Sequence, residues 1–249
     1  MRRTALVAVA LAALALAAVP AGVQAKPKPK PPAIPKITAN PVDLATVTKI
    51  SRFRSCSGHD YSPGFGQKKQ GLPVTGEIAR SMKHYIDISN DLADVDAVKG
   101  YAPFAGTIRI ESEQYPLGKQ VIVQSPSGWI VKFFHGDPLV TDGAKVTPGQ
   151  QIIAWPPAGA KDLLGAKDPN KKMEFDISME NYKTGAIVSI FSAMTPQVAA
   201  LWAAKGFTAA NAIISKEARD ADPCHVGPDG EFFTDVDAAR PDNWVQATG

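Results

Sequence analysis

Between Lys83 and Phe191 the chain is a succession of short apolar or alternating runs separated by Gly, Pro, Asn and Asp. No helix intervenes between these runs, and this constrains the fold more than any other feature. Strands at such spacing pair antiparallel and pack as one sheet on a second. Candidate strands fall at Tyr85 to Ser89, Gly106 to Glu111, Gln120 to Gln124, Trp129 to Phe134, Gln151 to Trp155, Met173 to Met179 and Ala186 to Phe191. Ser125-Pro126-Ser127-Gly128 is a turn, which makes Gln120 to Phe134 a hairpin.

The flanks differ in character. Met1-Arg2-Arg3, an apolar stretch from Ala5 to Val19, and small residues at Val23-Gln24-Ala25 read as a secretory signal peptide over residues 1–25. That apolar stretch is short for a membrane span and Pro20 interrupts it, so no transmembrane anchor is expected in the mature protein. Residues 26–41 are rich in Pro and Lys without a hydrophobic period, the composition of an extended linker. The β domain with its lead-in is expected over 42–192 and a helical hairpin with a polar tail over 193–249. Thr195-Pro196 opens the first helix, which runs from Gln197 to Lys205 and stops at Gly206. Thr208 caps a second helix ending near Arg219.

Removal of residues 1–25 leaves 25 basic against 24 acidic groups. A near-neutral chain argues against nucleic acid as a partner, which would need an excess of Lys and Arg on one face. Export makes the natural state of Cys56 and Cys224 a disulfide, closing a loop of nearly the whole fold. The alternative is a metal site of Cys56, His59, Cys224 and His225. The expected location is secreted, periplasmic or otherwise extracytoplasmic.

The stretches Lys83 to Ile88, Ala102 to Ile108, Phe133 to Ile152 and Lys172 to Ile177, taken together, resemble the motifs of the lysostaphin-type, or LytM-like, zinc endopeptidases of peptidoglycan. Lys83-His84-Tyr85-Ile86-Asp87-Ile88 is similar to that family's His-x-Gly-x-Asp strand. Ala102-Pro103-Phe104-Ala105-Gly106-Thr107-Ile108 resembles its Ala-x-x-x-Gly-x-Val turn. Phe133-Phe134-His135 stands in the place of Tyr-x-His, followed by the glycine turns of Gly143 to Ile152. Lys172-Met173-Glu174-Phe175-Asp176-Ile177 resembles His-Leu-His-Phe-Glu-Ile. The resemblance covers roughly Met82 to Met179 and implies a mainly β, two-sheet antiparallel β-hybrid domain, α+β overall once the C-terminal helices are counted.

Position by position, the resemblance puts Lys83, Asp87 and Glu174 in the zinc-ligand slots, and His135 and Lys172 in the slots of the two catalytic histidines. Residues two or four apart in a strand share a face, so Lys83 with Asp87, and Lys172 with Glu174, point into one cleft, while His84 faces the other way. An ammonium in a ligand slot repels a dication, so no cofactor is expected, and zinc only if a bulge turns His84 inward to join Asp87 and Glu174, with His135 as base. Two lysines and two carboxylates would otherwise form a neutral ion-pair cluster in the metal's place, or each stay solvated at the rim of a cleft. Trp129, Trp155 and Tyr101 are candidates for lining a sugar or peptide groove, although Trp129 follows a turn in strand pattern and reads rather as half-buried core. The sequence holds no nucleophile elbow, phosphate-binding loop or His-Glu-x-x-His helix. The function that follows is an exported, catalytically degenerate envelope protein that binds peptidoglycan or an envelope protein. The alternatives are a zinc endopeptidase with an unorthodox ligand set and a secreted structural protein.

Overall fold

Alternating side chains give several strands one mainly apolar and one mainly polar face, and the main sheet gathers each kind on one side. The computed structural model describes residues 32–74, 76–88, 98–112, 118–155 and 174–248. Its strands are β1 (Val47–Ser51), β2 (His84–Ile88), β3 (Val98–Tyr101), β4 (Gly106–Ser112), β5 (Lys119–Gln124), β6 (Trp129–Pro138), β7 (Lys145–Val146), β8 (Gln151–Trp155), β9 (Glu174–Asn181), β10 (Ile187–Val188) and β11 (Trp244–Gln246). The main sheet runs β11-β1-β2-β9-β6-β5-β4-β7, with β10 on β9, and its neighbours are antiparallel. The far end of β6 leaves this sheet to pair Asp137 and Pro138 with β8, which in turn pairs with β3. One long strand therefore joins the main sheet to the β3–β8 pair, and the neighbouring strands are antiparallel as the sequence spacing predicts.

The β5–β6 hairpin closes where the sequence places a turn. Ser125 N–H donates to Trp129 O at 2.8 Å, and Gly128 adopts φ +88°, a conformation in which a side chain would be strained. On the inner face Ile86, Phe175, Ile177, Val131 and Phe133 are almost fully buried. Trp155 stacks on Phe175 with ring centroids 3.9 Å apart. Each such side chain contributes about 1.5–3 kcal/mol by leaving water. Trp129 and Trp155 thus belong to the core rather than to a groove, whereas Tyr101 keeps part of its surface accessible.

Several expectations need correction. The run from Ala186 supports only the two residues of β10, because Ser189 caps a 3-10 turn over Ile190–Ser192. The helical hairpin does not form. Helix α2 (Pro196–Ala203) follows its Thr195 cap as anticipated, but the second helix is cut into α3 (Ala209–Ala212) and α4 (Lys216–Ala221). The β-branched pair Ile213-Ile214 turns extended between them: Phe53 N–H donates to Ala212 O at 2.8 Å and Ile214 N–H to Phe53 O at 3.0 Å. Ser215 then caps a fresh helix.

The linker expected over 26–41 is likewise no linker in its described part. Ile37 is fully buried and donates to Ala193 O at 2.9 Å, Thr38 donates to Pro103 O at 2.9 Å, and Trp129 Nε1–H donates to Pro32 O at 3.1 Å. The single isoleucine among prolines is the anchor. The polar tail, after α5 (Asp235–Ala238), supplies β11 to the edge of the sheet. Cys56 and Cys224 form a disulfide with Cα atoms 5.6 Å apart, packed with Phe233 in a small second core. The four-residue metal alternative fails, because oxidised sulfurs do not ligate zinc as thiolates do. No helix among the described residues is long and apolar enough to cross a membrane.

Candidate functional site

The polar face of the sheet carries the site. Tyr85 lies opposite Asp176 and Asp87 opposite Glu174, with Lys132 of β6 opposite Ser178. The period of two then aligns Lys83, Tyr85 and Asp87 with Glu174, Asp176, Ser178 and Glu180. His84 points the other way. Its Nδ1 lies 2.8 Å from Ser51 O and its Nε2 2.8 Å from Ser189 Oγ, between the rings of Phe53 and Phe191. Because a carbonyl only accepts, Nδ1 carries the proton and Nε2 accepts from the serine. Burial holds this ring at about 4 despite the Ser51 carbonyl, so it is neutral at neutral pH.

Lys83 is 3% exposed and sits inside a ring of aromatic side chains, its ammonium 4.6 Å from the Tyr85 centroid, 4.9 Å from Phe134 and 5.2 Å from Tyr61. It makes an ion pair with Asp176, which has no exposed surface. On the far side of that carboxylate His135 Nε2 stands 3.2 Å from Oδ1. On the far side of the ammonium His59 Nε2 stands 3.1 Å from Nζ, while His59 Nδ1 faces Asp60 O at 3.0 Å. The carbonyl fixes the His59 proton on Nδ1, so Nε2 accepts from the lysine. The four groups form a row: His59, Lys83, Asp176, His135.

Burial alone would raise the Asp176 carboxyl, yet Lys83 and His135 outweigh it and hold the group at about 2. Burial and the Lys83 charge push His59 below the usual imidazole range. Lys83 and His135 flank the Asp176 carboxylate, one at each oxygen.

Local backbone features aim these side chains. His135 occupies a bulge: Phe133 pairs with Val121 and Gly136 with Lys119, leaving Phe134 and His135 opposite Gln120 alone. His135 adopts φ +63°, which costs a non-glycine residue about 1–3 kcal/mol and is held by the surrounding pairing. His59 N–H donates to Tyr85 Oη at 3.4 Å, and the adjacent Gly58, φ +67°, has room for no side chain because a Cβ would lie 2.0 Å from that hydroxyl oxygen. Tyr61 donates to Glu180 Oε2 at 3.1 Å, with Ser178 Oγ at 3.3 Å.

The expected four-charge cluster is therefore assembled differently. Lys83 pairs with Asp176 rather than with Asp87 or Glu174, and Lys172 lies outside the described residues. Asp87 pairs with Lys49 at 3.0 Å and shares a hydrogen bond with Glu174. Glu174 keeps much of its residue surface exposed, yet its carboxyl is crowded. Burial, then the Asp87 and Asp176 carboxylates, push it up to about 8; the neighbouring Asp87 charge is the cause that its exposure weakens least. Sequence reasoning missed Asp176, Lys49, Tyr61 and the reach of His59. Asp176 alone had a signal, two residues beyond Glu174 on the same face.

Beside the row lies a cleft of about 750 Å³ between the loop and helix α1 (Pro63–Lys69) on one wall and the β9–β10 turn on the other. Tyr61, Tyr182, Lys132 and Glu180 line it, with Lys69 and Glu231 at its rim.

No protein-family model and no curated protein matches the sequence. Among solved structures the chain is distantly similar to M23/LytM peptidases. A zinc-containing peptidase from Vibrio cholerae is 17% identical with a TM-score of 0.39, over 61% of this chain and 39% of that one. The deep-sea M23 metalloprotease pseudoalterin is 15% identical with a TM-score of 0.33, over 61% of this chain and 74% of that one. A chain of the SpoIIQ–SpoIIIAH pore-forming complex is 15% identical with a TM-score of 0.34, over 68% and 97%. This chain thus spans well under half of the Vibrio peptidase, and identities this low carry no residue roles.

Zinc is the metal the resemblance implies, and the donor set does not fit it. Catalytic zinc normally takes three protein ligands. Among the described residues no group of three or more His, Cys, Asp or Glu side chains is placed to hold a metal ion. Asp87 and Glu174 are oxygen donors, the third slot holds the Lys83 ammonium, and His84 is committed to Ser51 and Ser189 on the opposite face.

Proposed function

We propose that this chain is an exported, LytM-like protein of the cell envelope that has given up zinc hydrolysis and acts as a binding or regulatory module for peptidoglycan or an envelope protein. The observation that carries the reading is the Lys83 ammonium, caged by three rings and paired with Asp176 where the resemblance calls for a ligating imidazole. A buried cation there opposes a second one. The disulfide suits an oxidising compartment. The cleft beside the row supports the binding half of the proposal, since aromatic faces with mixed charges suit sugars and peptides.

Two measurements test it. Protein purified in the presence of zinc should carry no stoichiometric metal, and purified cell walls should be hydrolysed neither with nor without chelator. Stoichiometric zinc that Asp87→Ala removes refutes the degenerate reading. Retention on purified peptidoglycan, weakened by Tyr182→Ala in the cleft, is expected; its absence, together with no capture of an envelope protein, refutes the binding role.

A further inference from the structure

The Lys83–Asp176 pair has a feature that an ordinary salt bridge lacks. Both groups are almost wholly removed from water and in contact with one another. A proton acceptor, His59 Nε2, faces the nitrogen, and a proton donor, His135 Nε2, faces the other carboxyl oxygen. We propose that Lys83 and Asp176 are the reactants of an intramolecular amide cross-link, with His59 and His135 moving the protons, so that β2 and β9 become joined through their side chains.

The reaction balances within the row. The ammonium of Lys83 gives one proton to His59 Nε2, and the freed amine attacks the Asp176 carboxyl carbon. A second nitrogen proton and one from the His135 imidazolium pass to one carboxyl oxygen. The carbon–oxygen bond breaks and that oxygen leaves as water, while the nitrogen–carbon bond remains as an amide. The proton on His59 returns through solvent to His135, whose side chain is one-third exposed. One ammonium and one carboxylate become one amide and one water, with no oxidant, reductant or added reagent. Holding the two groups in contact removes the entropy cost that makes such a condensation slow between free molecules. The aromatic wall of Tyr61, Tyr85 and Phe134 keeps bulk water from the product. This inference stands apart from what the cleft binds, and in the joined chain the Lys83 nitrogen is an amide, which leaves the zinc slot without a ligating imidazole just as the ammonium does.

Intact mass spectrometry of the full chain, exported from its host and reduced, decides the matter. The expected mass is lower by one water than the sequence mass of the mature chain. Tryptic digestion should yield a branched peptide joining Ser81 to Lys99 with Met173 to Lys183, uncut after Lys83 because its amine is acylated. Lys83→Arg and Asp176→Ala should each restore the full mass, which is readable even from an unfolded chain. Slower cross-linking in His59→Phe, followed by mass against time after refolding, separates proton transfer from mere packing. A wild-type chain at full sequence mass overturns the proposal, as does a water loss that maps elsewhere, such as a succinimide.

Discussion

Acid should destabilise this protein through His84, and the amount follows from its surroundings. The ring donates from Nδ1 to Ser51 O, accepts at Nε2 from Ser189, and has Phe53 and Phe191 against it. Protonation turns the acceptor into a donor and places a charge where only apolar rings and one hydroxyl can respond. The folded-state value is about 4 against an ordinary 6.5. The unfolded chain therefore binds more protons between these limits, and stability falls as pH falls through the same window. The full difference is about 3 kcal/mol, of which about 2 kcal/mol is lost by pH 5. Glu174 acts with the opposite sign in an overlapping range. Its carboxyl, raised to about 8, is protonated more readily when folded, so its contribution grows as pH falls from about 8 towards 4.5. Urea denaturation of wild type and His84→Gln at pH 7 and pH 5 isolates the histidine, because the Glu174 effect cancels in the difference. Gln offers a donor and an acceptor but does not titrate, so its pH profile should lack the acid loss. Parallel profiles for the two proteins, or an NMR titration of the His84 ring near 6.5, would refute this account.

Other expectations follow from the same geometry. Glu174→Gln should flatten the decline of stability with rising pH between about 4.5 and 8, seen as a melting temperature that no longer drops over that range. Gly58→Ala places a methyl group on the Tyr85 hydroxyl at a positive φ and should cost about 2 kcal/mol or more in chemical denaturation, with His59 shifted in NMR spectra. Replacing Cys56 and Cys224 together by Ser should lower stability by up to about 5 kcal/mol, the chain-entropy value for a loop spanning a sequence separation of 168; a loss below about 1 kcal/mol contradicts the entropic account.

Much of the architecture is legible because strand alternation is local. The hairpin through Ser125–Gly128, the outward turn of His84 and the common face of Lys83, Asp87 and Glu174 follow from a period of two and from turn chemistry. The pairing within the site is not local. Lys83 finds Asp176 rather than Asp87 because β2 and β9 are registered Tyr85 to Asp176, a choice made by packing across some ninety residues. His59 reaches Lys83 only because the loop after Cys56 folds back over the sheet, and no spacing in the sequence encodes that. The second helix was misjudged for a physical reason as well. Ala209 to Arg219 has helical composition, but the backbone of Phe53 pairs with Ala212 and Ile214 and holds the β-branched Ile213-Ile214 extended. Ile37 shows the converse, one apolar residue converting an apparent tether into part of the core.

The clasp between Cys56 and Cys224 also sets an order of events. It joins segments 168 residues apart in sequence, so the loop carrying His59 and Tyr61 is secured only once the segment around Cys224 has folded against it and both thiols have been oxidised. Reduction of this one bond therefore loosens the aromatic chamber around Lys83 along with the small core that Cys56 and Cys224 share with Phe233.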